Sequence, residues 1–177
     1  MKKSLTQAAI LAVSTFTVLA VAGPAHADPV NGQSYRIKNV DSGKCMDIRD
    51  ATWNLGGQVQ QFTCHAEWNQ HFVFRKAEVI NGRQTWRLTP RYTDGQRCVD
   101  VRDGTSNGGE LLQTWTCHSG WQQRFHIVGA GGGRYTIRPS YNGWCLTVSY
   151  PRYDDLAPIR QYPCGGSNDQ LFYIQRA

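Results

Sequence analysis

From Ser34 onward the chain is written in short apolar–polar alternations rather than long periodic runs. "SYRIKN", "CMDI", "VQQFTC" and "HFVFRK" come first, then "TWRLTP", "CVDV", "LLQTWTC" and "RFHIV", then "RYTIRPS", "CLTV", "PIRQYPC" and "LFYIQ". Each is β-rich, and each is bounded by Gly, Asn, Asp or Pro, the residues that turn a chain. No segment in this region keeps a helical period. The pattern predicts twelve short strands. Within "CMDI", strand alternation sends Met46 and Ile48 to one face and Asp47 with Arg49 to the other. Val99 with Val101, and Leu146 with Val148, are the equivalent inward pairs.

The strands fall into three sets of four because the sequence repeats. Cysteines stand at 45, 64, 98, 117, 145 and 164, so three successive pairs share a separation of 19 residues. Six residues after the second cysteine of each pair comes a glutamine (Gln70, Gln123, Gln170), and two residues later a phenylalanine (Phe72, Phe125, Phe172). A fixed period of this kind governs the architecture. It predicts three equivalent disulfides: Cys45–Cys64, Cys98–Cys117 and Cys145–Cys164. Zinc ligation, suggested by "CH" at 64–65 and 117–118, fails in the third unit, where Gly165 follows the cysteine. A solenoid does not accommodate three units of four strands each. A closed all-β structure with pseudo-threefold symmetry, the β-trefoil, does, and closure removes exposed strand edges. The repeats run at about 34–80, 81–133 and 134–177. The three phenylalanines belong in the core, and each glutamine, facing the same side near the buried base of its repeat, needs a polar partner. The repeat aspartate is the natural one.

The first 27 residues read differently. Lys2 and Lys3 precede the apolar run "AAILAVSTFTVLAVA", which ends near "AHA" at 25–27. This is the pattern of a secretory signal peptide, and it makes residues 28–177 a single exported domain. Removing Lys2 and Lys3 takes the formal net charge from +6 to +4. The remaining positive residues are scattered and mostly arginine, so neither nucleic acid nor membrane insertion is implied. An even cysteine count in an exported chain agrees with a disulfide framework.

The C-x-D-V-like strand, the aromatic residue shortly before the second cysteine, and the "NQ-x-aromatic" ending together resemble the ricin B-type lectin domain, an R-type β-trefoil family. The resemblance covers about residues 34–175. This chain ends each unit in Q-x-F where the family has Q-x-W. The resemblance implies one shallow sugar site per repeat. In such a site an aspartate accepts hydrogen bonds from neighbouring sugar hydroxyls, a ring stacks on the sugar's apolar face, an Asn adds a polar contact, and the glutamine supports the aspartate. In the first unit these roles fall on Asp47, Phe62, Asn69 and Gln70. In the second they fall on Asp100, Trp115, Gln122 and Gln123, with Gln122 one methylene longer than the family's asparagine. The third unit has Thr147, Tyr162 and Asp169 at the matching positions, and without a carboxylate its site is expected to be dead or altered.

These expectations define a secreted lectin module binding galactose-type or plant polysaccharide glycans, with no cofactor and no catalysis. The sequence holds no glycosidase carboxylate pair, no G-x-S-x-G and no H-E-x-x-H motif. The aspartates also have a structural reading, as partners of Arg49 and Arg102. Trp68 and Trp121 either shape the pocket rim or pack on the disulfides, and packing is the favoured reading. Asp50 and Asp103 are read as turn residues, with pocket lining as the lesser reading. The alternative function is a protein-interaction module, either a protease inhibitor or a toxin-targeting subunit. The loop "YPRYDDLAP" at 150–158, which breaks the repeat, would be its contact.

Overall fold

The structure, a computed structural model, describes residues 29–150 and 153–177. The segment read as a secretory signal lies outside the described residues. Four strands arise in each repeat: β1 (Ser34–Asn39), β2 (Cys45–Ile48), β3 (Gly57–Phe62) and β4 (Phe72–Ile80), then β5 (Arg83–Pro90), β6 (Arg97–Val101), β7 (Glu110–Thr116) and β8 (Phe125–Gly129), then β9 (Arg134–Pro139), β10 (Cys145–Val148), β11 (Ile159–Tyr162) and β12 (Phe172–Arg176). Helical structure among the described residues is confined to three-residue 3-10 turns.

The first and fourth strands of every repeat close into a six-stranded barrel. Its pairs run β1–β4, β4–β5, β5–β8, β8–β9, β9–β12 and β12–β1, all antiparallel. The repeated phenylalanines hold its joints: Phe72 lies opposite both Tyr35 and Pro90, Phe125 opposite Trp86 and Pro139, and Phe172 opposite Tyr135 and Asn39. All three are fully buried. The remaining strands form three hairpins, β2–β3, β6–β7 and β10–β11, which cap one end of the barrel. The hairpins touch one another in a ring through β3–β7, β7–β11 and a bridge between Gln60 and Pro158.

The core lies where barrel meets cap. Ile37, Leu88 and Ile137 come from the barrel, and Met46, Val99, Leu146, Ile48, Val101 and Val148 from the hairpins. Burying each such side chain removes apolar surface worth about 1.5–3 kcal/mol from water. The three disulfides are those the spacing predicts, each spanning 5.0 Å between Cα atoms. Each ties the start of a hairpin's first strand to the residue leaving its second.

Candidate functional site: a repeated carboxylate pocket

The hairpin register decides what faces the third residue of each CxDx strand. In repeat one Asp47 lies opposite Gln60 and Cys45 opposite Phe62. In repeat two Asp100 lies opposite Gln113 and Cys98 opposite Trp115. In repeat three the same positions hold Thr147 opposite Arg160, and Cys145 opposite Tyr162. The 3-10 turns Trp68–Gln70 and Trp121–Gln123 then fold back over the carboxylate.

Asp47 and Asp100 are each only 3% exposed. A buried carboxylate needs donors, and the repeat supplies them. Asp47 Oδ1 accepts from Gln60 Nε2 at 3.0 Å, and Oδ2 accepts from Asn69 Nδ2 at 2.8 Å and Gln70 Nε2 at 3.1 Å. Asp100 Oδ1 accepts from Gln113 Nε2 at 3.1 Å and Oδ2 from Gln123 Nε2 at 2.9 Å. Gln70 and Gln123 are fully buried and fixed at both ends. Their oxygens accept the backbone N–H of His65 and His118, and their amides also donate to the carbonyls of Thr63 and Thr116. The glutamine predicted to need the aspartate finds it in both repeats.

Burial pushes the pKa of both aspartates above the ordinary carboxylate value, and the amide hydrogen bonds offset that only in part. An imidazole stands beside each: Nε2 of His65 is 3.6 Å from Asp47 Oδ2, and Nε2 of His118 is 3.6 Å from Asp100 Oδ2. That distance is too long for a hydrogen bond. Nδ1 of His65 accepts the N–H of Glu67, and Nδ1 of His118 accepts that of Gly120. In the neutral ring the proton therefore sits on Nε2, toward the pocket.

Each carboxylate lies in a small cavity. The first, about 140 Å³, is lined by Asp47, Asp50, Gln60, Phe62, His65, Asn69 and Leu156. The second, about 320 Å³, is lined by Asp100, Arg102, Asp103, Gln113, Trp115, His118 and Gln122. Both aromatic residues read from the sequence are present, with Trp115 39% exposed. The Asn/Gln positions behave differently: Asn69 bonds the carboxylate directly, whereas Gln122 lines the cavity without a bond to Asp100. A carboxylate offers about four acceptor directions. Asp47 therefore keeps about one for a ligand, and Asp100 about two. The third cavity, about 430 Å³, holds Thr147, Tyr162 and Asp169, with Tyr150 at its edge. There Gln170 donates to Thr147 Oγ1 at 3.0 Å, so the supporting glutamine survives but the carboxylate at the strand position is gone, and the cavity's carboxylate is that of Asp169 instead.

Several readings change with the geometry in view. Arg49 does not neutralise Asp47; its Nε lies 3.6 Å from Asp50 instead. Trp68 and Trp121 are half-exposed, at 57% and 47%. Trp68 lies under the guanidinium of Arg91 at 5.2 Å, and Trp121 meets Tyr141 edge-on at 4.2 Å. Asp50 and Asp103 are turn residues with left-handed backbones at φ 56° and 57°, and they line the pockets as well. Sequence reasoning missed Gln60, Gln113, His65 and His118. The signal was present: Gln recurs fifteen residues after Cys45 and Cys98, and "CH" recurs in the same two repeats that keep the aspartate.

Known proteins share this fold. Residues 14–113 match the family described as "Ricin-type beta-trefoil lectin domain-like", and residues 84–177 match "Ricin-type beta-trefoil lectin domain". The designed threefold-symmetric protein ThreeFoil is similar over 81% of this chain and 99% of its own, with a TM-score of 0.73 and 23% identity. The ricin B-like lectin of Macrolepiota procera, solved in complex with lactose, is similar over 85% of this chain and 100% of its own (TM-score 0.68, 20% identity). An exo-β-1,3-galactanase from Clostridium thermocellum reaches a TM-score of 0.75 at 21% identity, over 85% of this chain and 31% of the enzyme. At these identities the likeness is one of fold. None of the curated proteins matches the chain in sequence. The two family matches each cover more than half of the chain and together take in all three repeats, and the chain belongs to the ricin-type β-trefoil lectin domain family.

Proposed function

We propose that the protein is a secreted, non-catalytic carbohydrate-binding module that holds galactose-type or plant polysaccharide glycans in repeats one and two. Asp47 and Asp100 accept hydrogen bonds from sugar hydroxyls, and Phe62 and Trp115 cover the sugar's apolar face. Asn69 and Gln122 offer polar contacts at the edge, Gln70 and Gln123 hold the carboxylates in place, and the Nε2–H groups of His65 and His118 donate. One observation carries this reading. A buried carboxylate, braced by protein amides on one side and open to a cavity beside an aromatic ring on the other, occurs twice. A fold-maintaining aspartate would be expected in the third repeat too, where Thr147 stands.

Such sites are shallow. A millimolar Kd corresponds to about −4 kcal/mol, so useful affinity comes from two sites engaging one polymer or surface. Secretion is supported by the disulfide framework, which persists in oxidising compartments, and by the signal-like N-terminus. The protein-interaction reading draws on Tyr150 and Tyr153, which are 89% and 63% exposed in the 150–158 loop. The deciding experiment is binding of residues 28–177 to an immobilised glycan and polysaccharide panel, beside the double variant Asp47→Asn with Asp100→Asn. Retention of one sugar class by the wild type alone supports the lectin reading. Binding that the variant keeps, or none by either protein, refutes it and turns attention to the 150–158 loop.

A further inference from the structure

The two carboxylate pockets differ in a way their own repeats do not explain. Every residue lining the second cavity belongs to repeat two, but the first cavity is completed by Leu156, from repeat three. Leu156 lies eleven residues after Cys145. Eleven residues after Cys45 and Cys98 stand Gly56 and Gly109. All three have left-handed backbones: φ is +79° at Gly56, +85° at Gly109 and +70° at Leu156. All three make the same contact with the next repeat, donating their N–H at 2.9 Å to the carbonyl of Thr114, Gln161 and Gln61 respectively. This is one structural position written three times, and one copy is leucine where glycine is the residue the backbone favours.

The position faces the next repeat's pocket. A Cβ built on Gly56 would lie 3.8 Å from Gln113 Oε1, and one on Gly109 would lie 3.1 Å from the hydroxyl of Tyr162. Only in the third copy is a side chain present, so only pocket one receives one. Pocket one is also the smallest, about 140 Å³ against about 320 Å³ and 430 Å³. The strained leucine is held from several sides. Asp155 accepts from Lys44 Nζ at 2.7 Å and from the N–H of Thr63 at 2.7 Å. Gln61 Nε2 donates to the carbonyl of Asp154 at 2.8 Å, and Gln61 N–H to that of Ala157 at 2.9 Å. A left-handed leucine kept by surrounding bonds, 46% exposed at the mouth of a pocket, is the kind of strain that accompanies function.

We infer that Leu156 is a specificity-determining residue supplied across the repeat boundary: it walls pocket one so that this pocket takes a single terminal sugar ring, while pocket two, lacking the wall, admits a ring inside a chain. The inference rests on the glycan-binding reading. Its test uses single-pocket proteins, Asp100→Asn (pocket one only) and Asp47→Asn (pocket two only), each with and without Leu156→Gly. The probes are methyl β-galactoside, methyl β-xyloside, and linear galactan and xylan oligosaccharides, titrated by calorimetry or NMR. In the pocket-one protein Leu156→Gly should raise the affinity for the oligosaccharide relative to its monosaccharide by about fivefold or more. In the pocket-two protein it should change nothing. An unchanged ratio in the pocket-one protein overturns the inference and leaves the lectin reading standing. Absence of binding by both single-pocket proteins to every probe overturns the lectin reading and this inference with it. Leu156→Ala provides a check on strain: it removes the wall but keeps a Cβ at positive φ, so it should melt below Leu156→Gly. The opposite order would contradict the strained-wall account.

Discussion

Gln123 is the side chain on which pocket two depends most, and its replacement by alanine is a sharp test of how the pocket is built. The residue is fully buried and takes part in three hydrogen bonds: to Asp100 Oδ2 at 2.9 Å, to the Thr116 carbonyl at 2.9 Å, and from the His118 N–H at 2.9 Å. Truncation strands the buried Asp100 carboxylate together with two part-buried backbone groups, the Thr116 carbonyl and the His118 N–H. A stranded buried group costs about 1–3 kcal/mol, more when charged. Water entering the new space recovers part of that, so a net loss of about 3–4 kcal/mol follows. For a domain of this size each kcal/mol moves Tm by about 2–4 °C, which places the Gln123→Ala protein roughly 6–16 °C below wild type. Calorimetry measures this directly. Asp100 also loses a donor that favours its charged form, so its carboxyl should titrate at higher pH than in the wild type, as followed by carboxyl-carbon NMR. A Tm within about 2 °C of wild type, with Asp100 titrating unchanged, would refute the claim that Gln123 braces the carboxylate.

Further outcomes follow from the same contacts. Asp47 and Asp100 have raised pKa values, so the folded state holds their protons more tightly than the unfolded state. Ionising them therefore lowers stability as pH rises from the ordinary carboxylate value through the raised one. Asp47→Asn should accordingly melt higher than wild type at neutral pH, with the gap closing on acidification; a lower Tm at pH 7 would contradict this. The substitution is accommodated because Gln60 Oε1 is buried without a hydrogen-bond partner among the described residues and can accept the new amide once the Gln60 side chain flips. Glycan binding needs the ionised form, so it should fade on acidification at a higher pH than an exposed aspartate would dictate, as a titration between pH 7 and 4 will show. Each disulfide closes a loop of about 20 residues, worth roughly 3 kcal/mol in the chain-entropy account. Removing one, with Cys145→Ala and Cys164→Ala, should lower Tm by about 6–12 °C.

What the sequence revealed follows from what the fold requires three times over. The cysteines, the glutamines and the core phenylalanines recur because each repeat closes the same hairpin and the same barrel joint, so spacing alone located them. Asp47 and Asp100 were visible for the opposite reason, recurring twice where the fold would ask for three. Gln60 and Gln113 were hidden because their partnership depends on cross-strand register, which pairs residues thirteen apart. His65 and His118 were visible as a repeated "CH" but suggested metal ligation; their place beside the carboxylate is set by the backbone bond to Gln70 and Gln123. Leu156 could not be read at all within its own repeat, because its position acts on the next one. The partners of Trp68 and Trp121 are not legible from spacing, because the 3-10 turn each opens brings its ring to Arg91 and Tyr141, residues of the next repeat.

The central claim is that two pockets bind and the third does not, because two keep the buried carboxylate. Binding stoichiometry tests it most directly. A saturating titration of the domain with a monovalent sugar from the class retained on the panel should give two sites per chain for the wild type. It should give one each for Asp47→Asn and Asp100→Asn, and none for the double variant, with all four proteins folded. A third site, or binding that survives in the double variant, would contradict the account and place recognition elsewhere on the trefoil.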